Sequence, residues 1–87
     1  MADDGSDLIG RLVYLPERSV LEPLVVERTL PGGRVEARAL EESEDLFLDR
    51  DERVELDVEL ARKHATVTVE EAVRLRGGQP RNQSENL

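Results

Sequence analysis

The chain contains no cysteine and very few histidine, lysine or aromatic residues. Its 87 residues include one histidine (His64), one lysine (Lys63), one tyrosine and one phenylalanine. The lack of cysteine excludes a disulfide framework, a thiol nucleophile and a zinc site of the Cys/His type. One histidine, with serines that lie outside any nucleophile-elbow motif, gives no support for a catalytic triad. An enzyme is therefore the least favoured function class, and we expect no bound metal or cofactor.

Positive charge and long apolar runs are also scarce. The chain has 20 acidic and 12 basic residues, which gives a formal net charge of -8. This excess of negative charge argues against non-specific binding to nucleic acid, which needs clustered Lys and Arg. No apolar run approaches the roughly 18 residues of a membrane span, and the acidic start of the sequence is unlike a signal peptide. We expect a cytoplasmic protein that binds neither nucleic acid nor membrane.

Short apolar runs with strand-like patterns fill the first half of the sequence. Residues 8–15 form a run rich in strand formers and closed by Pro16, which predicts a first strand. Residues 24–30 and 34–40 flank Pro31-Gly32-Gly33, a strong turn signal because glycine supplies the positive φ of tight turns. We therefore predict a hairpin of 24–30 with 34–40. The body of the domain is predicted to be mostly β.

The next part of the sequence alternates between acidic and apolar stretches. The charge run at 41–45 predicts a solvated loop or a short helical turn, and 49–52 predicts a second acidic turn, with a short apolar segment between them. From 53 to 60 apolar residues alternate with acidic ones, as in a half-buried strand. Residues 61–64 are then expected to turn the chain into one more β-prone stretch that begins at Thr66.

Residues 68–76 are ambiguous between helix and strand. Thr68 followed by Glu71 is a capping-box pattern, and Gly77 just beyond would end a short helix. Against a helix, the apolar residues of this stretch share one parity, as a strand requires: Val67, Val69, Val73 and Leu75. We predict a strand here, with the helix as the alternative.

The two ends of the sequence are polar. Residues 1–7 are small and acidic, and residues 79–87 carry almost no apolar side chains. Both ends are therefore predicted to be disordered, because they cannot bury enough apolar surface to offset the entropy of ordering. Between them we expect a single domain of residues 8–76, followed by Gly77-Gly78.

The junction of that domain with the tail reads Arg74-Leu75-Arg76-Gly77-Gly78. This motif resembles the carboxyl terminus of ubiquitin, which ends in the same residues after a folded body of nearly the same length. The resemblance implies an α+β fold of the β-grasp type, in which a helix crosses the sheet after the first hairpin. Residues 37–46 could form that helix, or a segment that begins after Gly33. The residues that follow Gly78 resemble the removable extension of a modifier precursor.

The resemblance also implies a function in which the chain is a substrate and has no catalytic residues of its own. A processing protease, often a JAMM-type zinc metalloprotease, would cleave between Gly78 and Gln79. An activating enzyme would then adenylate the Gly78 carboxylate with ATP, a conjugating enzyme would carry it as a thioester, and target-protein amines would receive it. Gly77 and Gly78 suit this chemistry because a residue without Cβ lets the backbone approach each active site closely.

Four further residues have roles under the same resemblance. Arg74 and Arg76 would pair with acidic groups on the activating enzyme, and Leu75 would fill a pocket there. Lys63 would be the only side-chain acceptor on which a chain of modifiers could grow.

Two alternatives stay open from the sequence. A sulfur carrier would use the same carboxylate of Gly78 as a thiocarboxylate. A small all-β barrel of the OB or SH3-like type would instead be a protein-interaction module without conjugation chemistry. Residues 30–70 resemble the OB-like domains of the NfeD family, and in that case Gly77-Gly78 only ends the last element of the domain.

Overall fold

Five strands and two helices are formed by residues 4–43 and 46–77, which are the residues that the computed structural model describes. The chain is an α+β domain built on one antiparallel sheet. A turn of 3-10 helix at Ser6–Leu8 precedes the first strand. The strands are β1 (Arg11–Val13), β2 (Leu24–Leu30), β3 (Arg34–Ser43), β4 (Leu46–Asp57) and β5 (Ala65–Thr68), and the helices are α1 (Val58–His64) and α2 (Val69–Gly77).

The sheet has the order β4-β3-β2-β1-β5, and every neighbouring pair is antiparallel. The first four strands follow one another across the sheet. The chain then returns through α1, and β5 pairs with β1 at Arg11↔Thr68 and Val13↔Ala65. The short strand β1 is thus paired on both sides, and the described strands end at β4 on one edge and β5 on the other.

The predicted hairpin of 24–30 with 34–40 is confirmed as β2 and β3. Leu30 pairs with Arg34 and Leu24 with Ala39 across the ladder. Gly32 and Gly33 have φ values of 82° and 74°, a conformation that costs an L-residue with a side chain about 1–2 kcal/mol. The turn therefore needs the glycines that predicted it.

A core of small aliphatic side chains lies on one side of the sheet. The alternation predicted for β3 is confirmed, because Val35, Ala37 and Ala39 are all fully buried. Helix α1 covers this side through Val58 and Ala61, and none of the described polar or charged residues is fully buried. The core consists of Leu8, Val13, Leu15, Leu24, Val26, Val35, Ala37, Ala39, Leu56, Val58 and Ala61.

The helix that a β-grasp needs after its first hairpin is not found at either predicted place. Residues 34–43 form β3, so both the candidate at 37–46 and the one that begins after Gly33 are wrong. The turn at Gly32-Gly33 leads the chain directly into a strand. The apolar residues after this turn alternate with the period of a strand, not of a helix. Residues 41–43, predicted to lie in a loop or a short helical turn, instead continue the ladder opposite 46–48, and residues 44 and 45 lie outside the described residues.

Strand β4 is one continuous strand where the sequence predicted an acidic turn at 49–52. The ladder steps from Arg38↔Arg53 to Leu40↔Asp49, so β4 carries extra residues relative to β3. Asp51 absorbs them with a φ of 58°, and its N–H donates to Asp49 Oδ1 at 2.7 Å. A β-bulge of this kind keeps both halves of a strand in the sheet, which is why the predicted turn is wrong.

Two further boundaries also differ from the prediction. The strand expected at 53–60 ends at Asp57, and residues 58–64 are helical instead of turning the chain only at 61–64. Basic residues in the last turn of α1 suit the negative end of its dipole, and Ala61 is buried against the sheet. The strand expected at 8–15 is shorter, at Arg11–Val13, because Leu8 reaches the core from the 3-10 turn.

Residues 4–7, predicted to belong to a disordered end, are in fact tied to the domain; residues 1–3 lie outside the described residues. Arg62 of α1 donates two hydrogen bonds to the Asp7 carboxylate, at 2.8 and 3.0 Å. The hydrogen bonds from Arg62 lower the pKa of Asp7. Gly5, with a φ of 82°, turns the backbone between Val35 and Val58.

Gly5→Ala should destabilise the domain more than Gly10→Ala does. Both glycines have positive φ, so each substitution carries the left-handed cost of about 1–2 kcal/mol. At Gly5 a Cβ would also lie 3.0 Å from Val35 Cγ1 and 3.1 Å from Val58 Cγ2, whereas at Gly10 it meets nothing within 4 Å. We expect Gly5→Ala to cost about 1–3 kcal/mol more, measured by urea unfolding. Equal losses for the two variants would contradict the close packing at Gly5.

Candidate functional site

Helix α2 carries most of the motif that the sequence singled out. Thr68 Oγ1 accepts a hydrogen bond from the Glu71 backbone N–H at 3.1 Å, and the Val69 N–H donates to the Gly10 carbonyl at 2.9 Å. Glu70 and Glu71 in the first turn suit the positive end of the helix dipole. The predicted strand at 68–76 is therefore wrong from Val69 onward, and the helical alternative, with Thr68 as its cap, is confirmed.

The motif residues are helical, whereas the resemblance to ubiquitin implies an extended approach to the diglycine. Arg74 and Leu75 lie in the second half of α2, and Leu75 is 69% exposed. The backbone of Arg76 and Gly77 completes the helix, while Gly78 and Gln79 lie outside the described residues. Helix α2 follows β5 directly, and none of its described side chains belongs to the core cluster.

Lys63 lies in the last turn of α1 and is exposed. It borders a surface depression that Gly33, Asp57 and Leu60 also line. Glu59 is one helical turn away on the same side of α1, a favourable spacing for opposite charges. This depression is an open surface feature next to the turn between β2 and β3.

Exposed apolar side chains gather at one end of the sheet, a feature that the sequence analysis missed. Val20 and Leu21 precede β2, and Leu46 and Leu48 begin β4, with exposures of 71%, 56%, 60% and 46%. We call these four residues the apolar end. The sequence gives little indication of the apolar end, because Val20 and Leu21 lie in a loop and the two leucines of β4 lie between acidic runs.

Strand β3 holds the two halves of the apolar end in one place. The Glu42 N–H donates to the Leu21 carbonyl at 2.8 Å, so the loop continues the line of β2 along β3. On the other side of β3, Ser43 pairs with Leu46 and Glu41 with Leu48. The halves of the apolar end thus lie on either side of the last residues of β3.

Both aromatic residues of the chain lie at this same end. The Tyr14 hydroxyl donates to Glu42 Oε2 at 3.0 Å, and Phe47 is the cross-strand partner of Glu42. Directly opposite residues share one face of a sheet, so Glu42 and Phe47 lie on the face opposite that of Leu46 and Leu48. Tyr14 and Phe47 are both half-buried. A carboxylate held between two aromatic residues is well suited to meet a cation.

Carboxylates outnumber cations beside the apolar end. Arg50 Nη1 lies 2.7 Å from Glu41 Oε1, and this hydrogen bond raises the pKa of Arg50, with further contributions from Glu22 and Glu52. Arg50 is thus paired with Glu41 and lies in the field of two further carboxylates. Arg18 reaches Glu52 only at 3.8 Å, so the local field stays negative.

The charges on the rest of β2, β3 and β4 are paired across the strands. Arg38 lies between Glu27, at 2.8 Å from its Nε, and Asp49. The backbone N–H of Asp51 and the side chain of Arg38 both lower the pKa of Asp49. Arg28 lies 2.8 Å from Glu36 in the same way. These exposed pairs keep the sheet solvated and contribute little stability each.

Other kinds of site find no counterpart in the part of the chain that the structure describes. No group of three or more His, Asp or Glu side chains there could hold a metal ion. None of the described helices is both long enough and apolar enough to cross a membrane. Comparison with protein-family models, with curated proteins and with solved structures finds no match to this chain.

Thr68→Ala should loosen α2 without unfolding the domain. The substitution removes the cap at the Glu71 N–H, and loss of such a cap costs about 1 kcal/mol. Since α2 lies outside the core, we expect faster hydrogen exchange at the amides of 71–75 and nearly unchanged exchange in β3. Thr29→Ala in β2 is the matched control, because its hydroxyl has no hydrogen bond among residues 4–43 and 46–77. A loss of protection in β3 equal to that in α2 would contradict this separation.

Proposed function

We propose that this chain is a small interaction module of the β-barrel type, of the OB or SH3-like kind, which binds a partner protein through the apolar end. The observation that carries the proposal is that Val20, Leu21, Leu46 and Leu48 are all exposed at the same end of the sheet, on either side of the last residues of β3. Single exposed apolar residues are ordinary, but a group of them at one place marks a contact surface. Each leucine or valine that a partner covers contributes up to about 1.5–3 kcal/mol, so three leucines and one valine can supply the centre of an interface.

The barrel assignment is supported by the strand order. Four strands follow in sequence, and a short helix then leads the last strand back to pair antiparallel with the first. Such an order lets a twisted sheet curl so that its faces enclose one small core. The described residues contain no helix between β1 and β4, where the β-grasp alternative needs one.

The interaction function is tested by capture from a lysate of the cells that make the protein. The immobilised full chain should retain a defined partner, and the triple variant Leu21→Ser, Leu46→Ser, Leu48→Ser should lose it. Leu75→Ser is the matched control, because it removes an equally exposed leucine from α2. Circular dichroism should show that both variants keep the fold. Equal capture by the triple variant, or no partner at all, would count against the proposal.

A second candidate function is that of a ubiquitin-like modifier with a β-grasp fold, and the position of Arg74–Gly78 favours it. The motif ends the last described element, Leu75 is open to solvent, and α2 adds nothing to the core. A helix of nine residues is marginal on its own, so its last turn can unwind into an extended strand at small cost. Processing after Gly78, activation with ATP and conjugation to amines would then follow, or a sulfur carrier would use the same carboxylate.

Intact mass distinguishes the two candidates. The gene is expressed together with its genomic neighbours, which would include a processing protease in the case of a modifier. The interaction module predicts a chain that keeps all 87 residues and is indifferent to Gly78→Ala. A modifier predicts a product that ends at Gly78, and loss of conjugates in the Gly78→Ala variant.

A further inference from the structure

Strand β4 is an end strand of the sheet. It runs for 12 residues and, among the described strands, pairs with β3 alone. The outer side of such a strand presents backbone N–H and C=O groups that another chain can pair with. A strand of this length is therefore a template for an added strand unless its shape or side chains prevent it.

The bulge at Asp51 divides this edge into two parts. The part at 53–57 offers little to a partner, because Leu56 is buried in the core and Arg34 already approaches the carboxylates of Glu55 and Asp57, at 3.4 and 3.7 Å. The part at 46–49 differs in the first respect, because none of its residues is buried in the core. It carries the exposed residues Leu46 and Leu48, and the Asp49 carboxylate at its end is paired with Arg38.

The two faces of the 46–49 segment have different chemistry. Leu46 and Leu48 are two positions apart and so lie on one face, where an apolar side chain of an added strand would cover them. Phe47 and its partner Glu42 lie on the opposite face. There an arginine or lysine of the added strand would lie beside an aromatic ring and a carboxylate.

The surrounding charge selects the same kind of partner. At this end Arg50 is paired with Glu41, Glu22 and Glu52 add further negative charge, and the whole chain carries a net charge of -8. A basic segment would be steered toward this field, whereas an acidic one would be repelled. The same repulsion opposes a second copy of this chain, whose own edge is equally acidic.

We propose that the 46–49 edge of β4 accepts an extended segment of the partner protein with alternating apolar and basic residues. The segment adds to the sheet as a strand, its apolar side chains cover Leu46 and Leu48, and its arginine or lysine side chains lie over Phe47 toward Glu42. Main-chain hydrogen bonds give such a complex its affinity, and the alternating side chains give its specificity. This inference rests on the interaction function proposed above and names the surface and the partner chemistry.

The test is a titration of the ¹⁵N-labelled full chain with a blocked heptapeptide of alternating arginine and valine, followed by NMR. We expect saturable shifts at the amides of 41–43 and 46–49, and weaker binding as salt rises. A peptide with glutamate in place of arginine should not bind. A peptide with proline at its centre should bind far more weakly, because proline cannot donate to a ladder.

Matched variants separate the two faces. Leu48→Ser should weaken binding by about fivefold through lost apolar contact, whereas Leu60→Ser on α1 should leave it unchanged. Glu42→Gln should weaken binding of the arginine peptide and reduce its salt dependence, and Glu59→Gln on α1 is the control for the change in net charge. Equal effects of variant and control on either face would overturn the proposal.

Several other results would also overturn it. Shifts confined to residues away from 41–49, equal binding of the proline peptide, or equal binding of the glutamate peptide would each exclude strand addition at this edge. Dimerisation of the free chain through 46–49 would show that the occupant is a second copy. Capture of a partner in the lysate experiment, without peptide shifts at 46–49, would overturn this inference and leave the interaction function standing. Peptide binding at 46–49 without any captured partner would support the edge chemistry and count against that function.

Discussion

The pairing of β1 with a strand on each side is the constraint on which the rest of this domain depends. The strand has only three residues, Arg11–Val13, too few to be stable as an edge. It persists because β2 lies on one side and β5 on the other, and because Leu12 and Val13 are fully buried. The return of the chain from β4 to β5 is therefore required, and α1 makes it. Since α1 must lie over the sheet on its way, Val58 and Ala61 complete the core. Helix α2 then begins where β5 ends, with the Val69 N–H bound to Gly10.

The distribution of charge explains why one end of the sheet stands out. Small aliphatic residues fill the core, and exposed carboxylates and guanidinium groups pair across β2, β3 and β4 over most of the outer surface. Such a surface is soluble and offers few strong contacts. The pattern changes beyond the bulge at Asp51, where exposed leucines lie near the Arg50–Glu41 pair and Glu22 and Glu52 add further negative charge. A partner that binds at this end leaves the paired charges of the other region exposed, and those charges keep the domain soluble.

The sequence predicted the parts of the fold that rest on strong local chemistry. Pro31-Gly32-Gly33 and the alternation after it are sufficient to place the β2–β3 hairpin, since the turn needs positive φ and the faces need a period of two. It failed where two patterns compete. The parity of Val67, Val69 and Val73 favoured a strand. The chain instead becomes helical after the Thr68 cap, because β1 begins at Arg11, opposite Thr68, and offers no strand residue for 69–76 to pair with. The apolar alternation from Val54 to Leu60 predicted a strand beyond Asp57, the true end of β4. The alternation misleads there because helix α1 buries Val58 and Ala61 in the core as well as a strand would bury its apolar residues.

The candidate site was harder to predict than the fold. The motif at Arg74–Gly78 is visible in the letters of the sequence, but the helical conformation of residues 74–77 depends on a helix that begins at the Thr68 cap. The apolar end joins a loop, the last residues of β3 and the start of β4, and only the folded register brings them together. Asp51 could not be predicted as a bulge, because an aspartate with positive φ has no sequence signature of its own.

NMR distance measurements on the isotope-labelled full chain can show whether β5 returns antiparallel to β1. We expect cross-strand nuclear Overhauser effects between Arg11 and Thr68 and between Val13 and Ala65, together with sequential amide contacts typical of a helix from residue 69 onward. Effects that join 8–15 in parallel register to an extended strand at 67–75 would contradict it. They would favour instead a ubiquitin-like sheet with an extended carboxyl terminus.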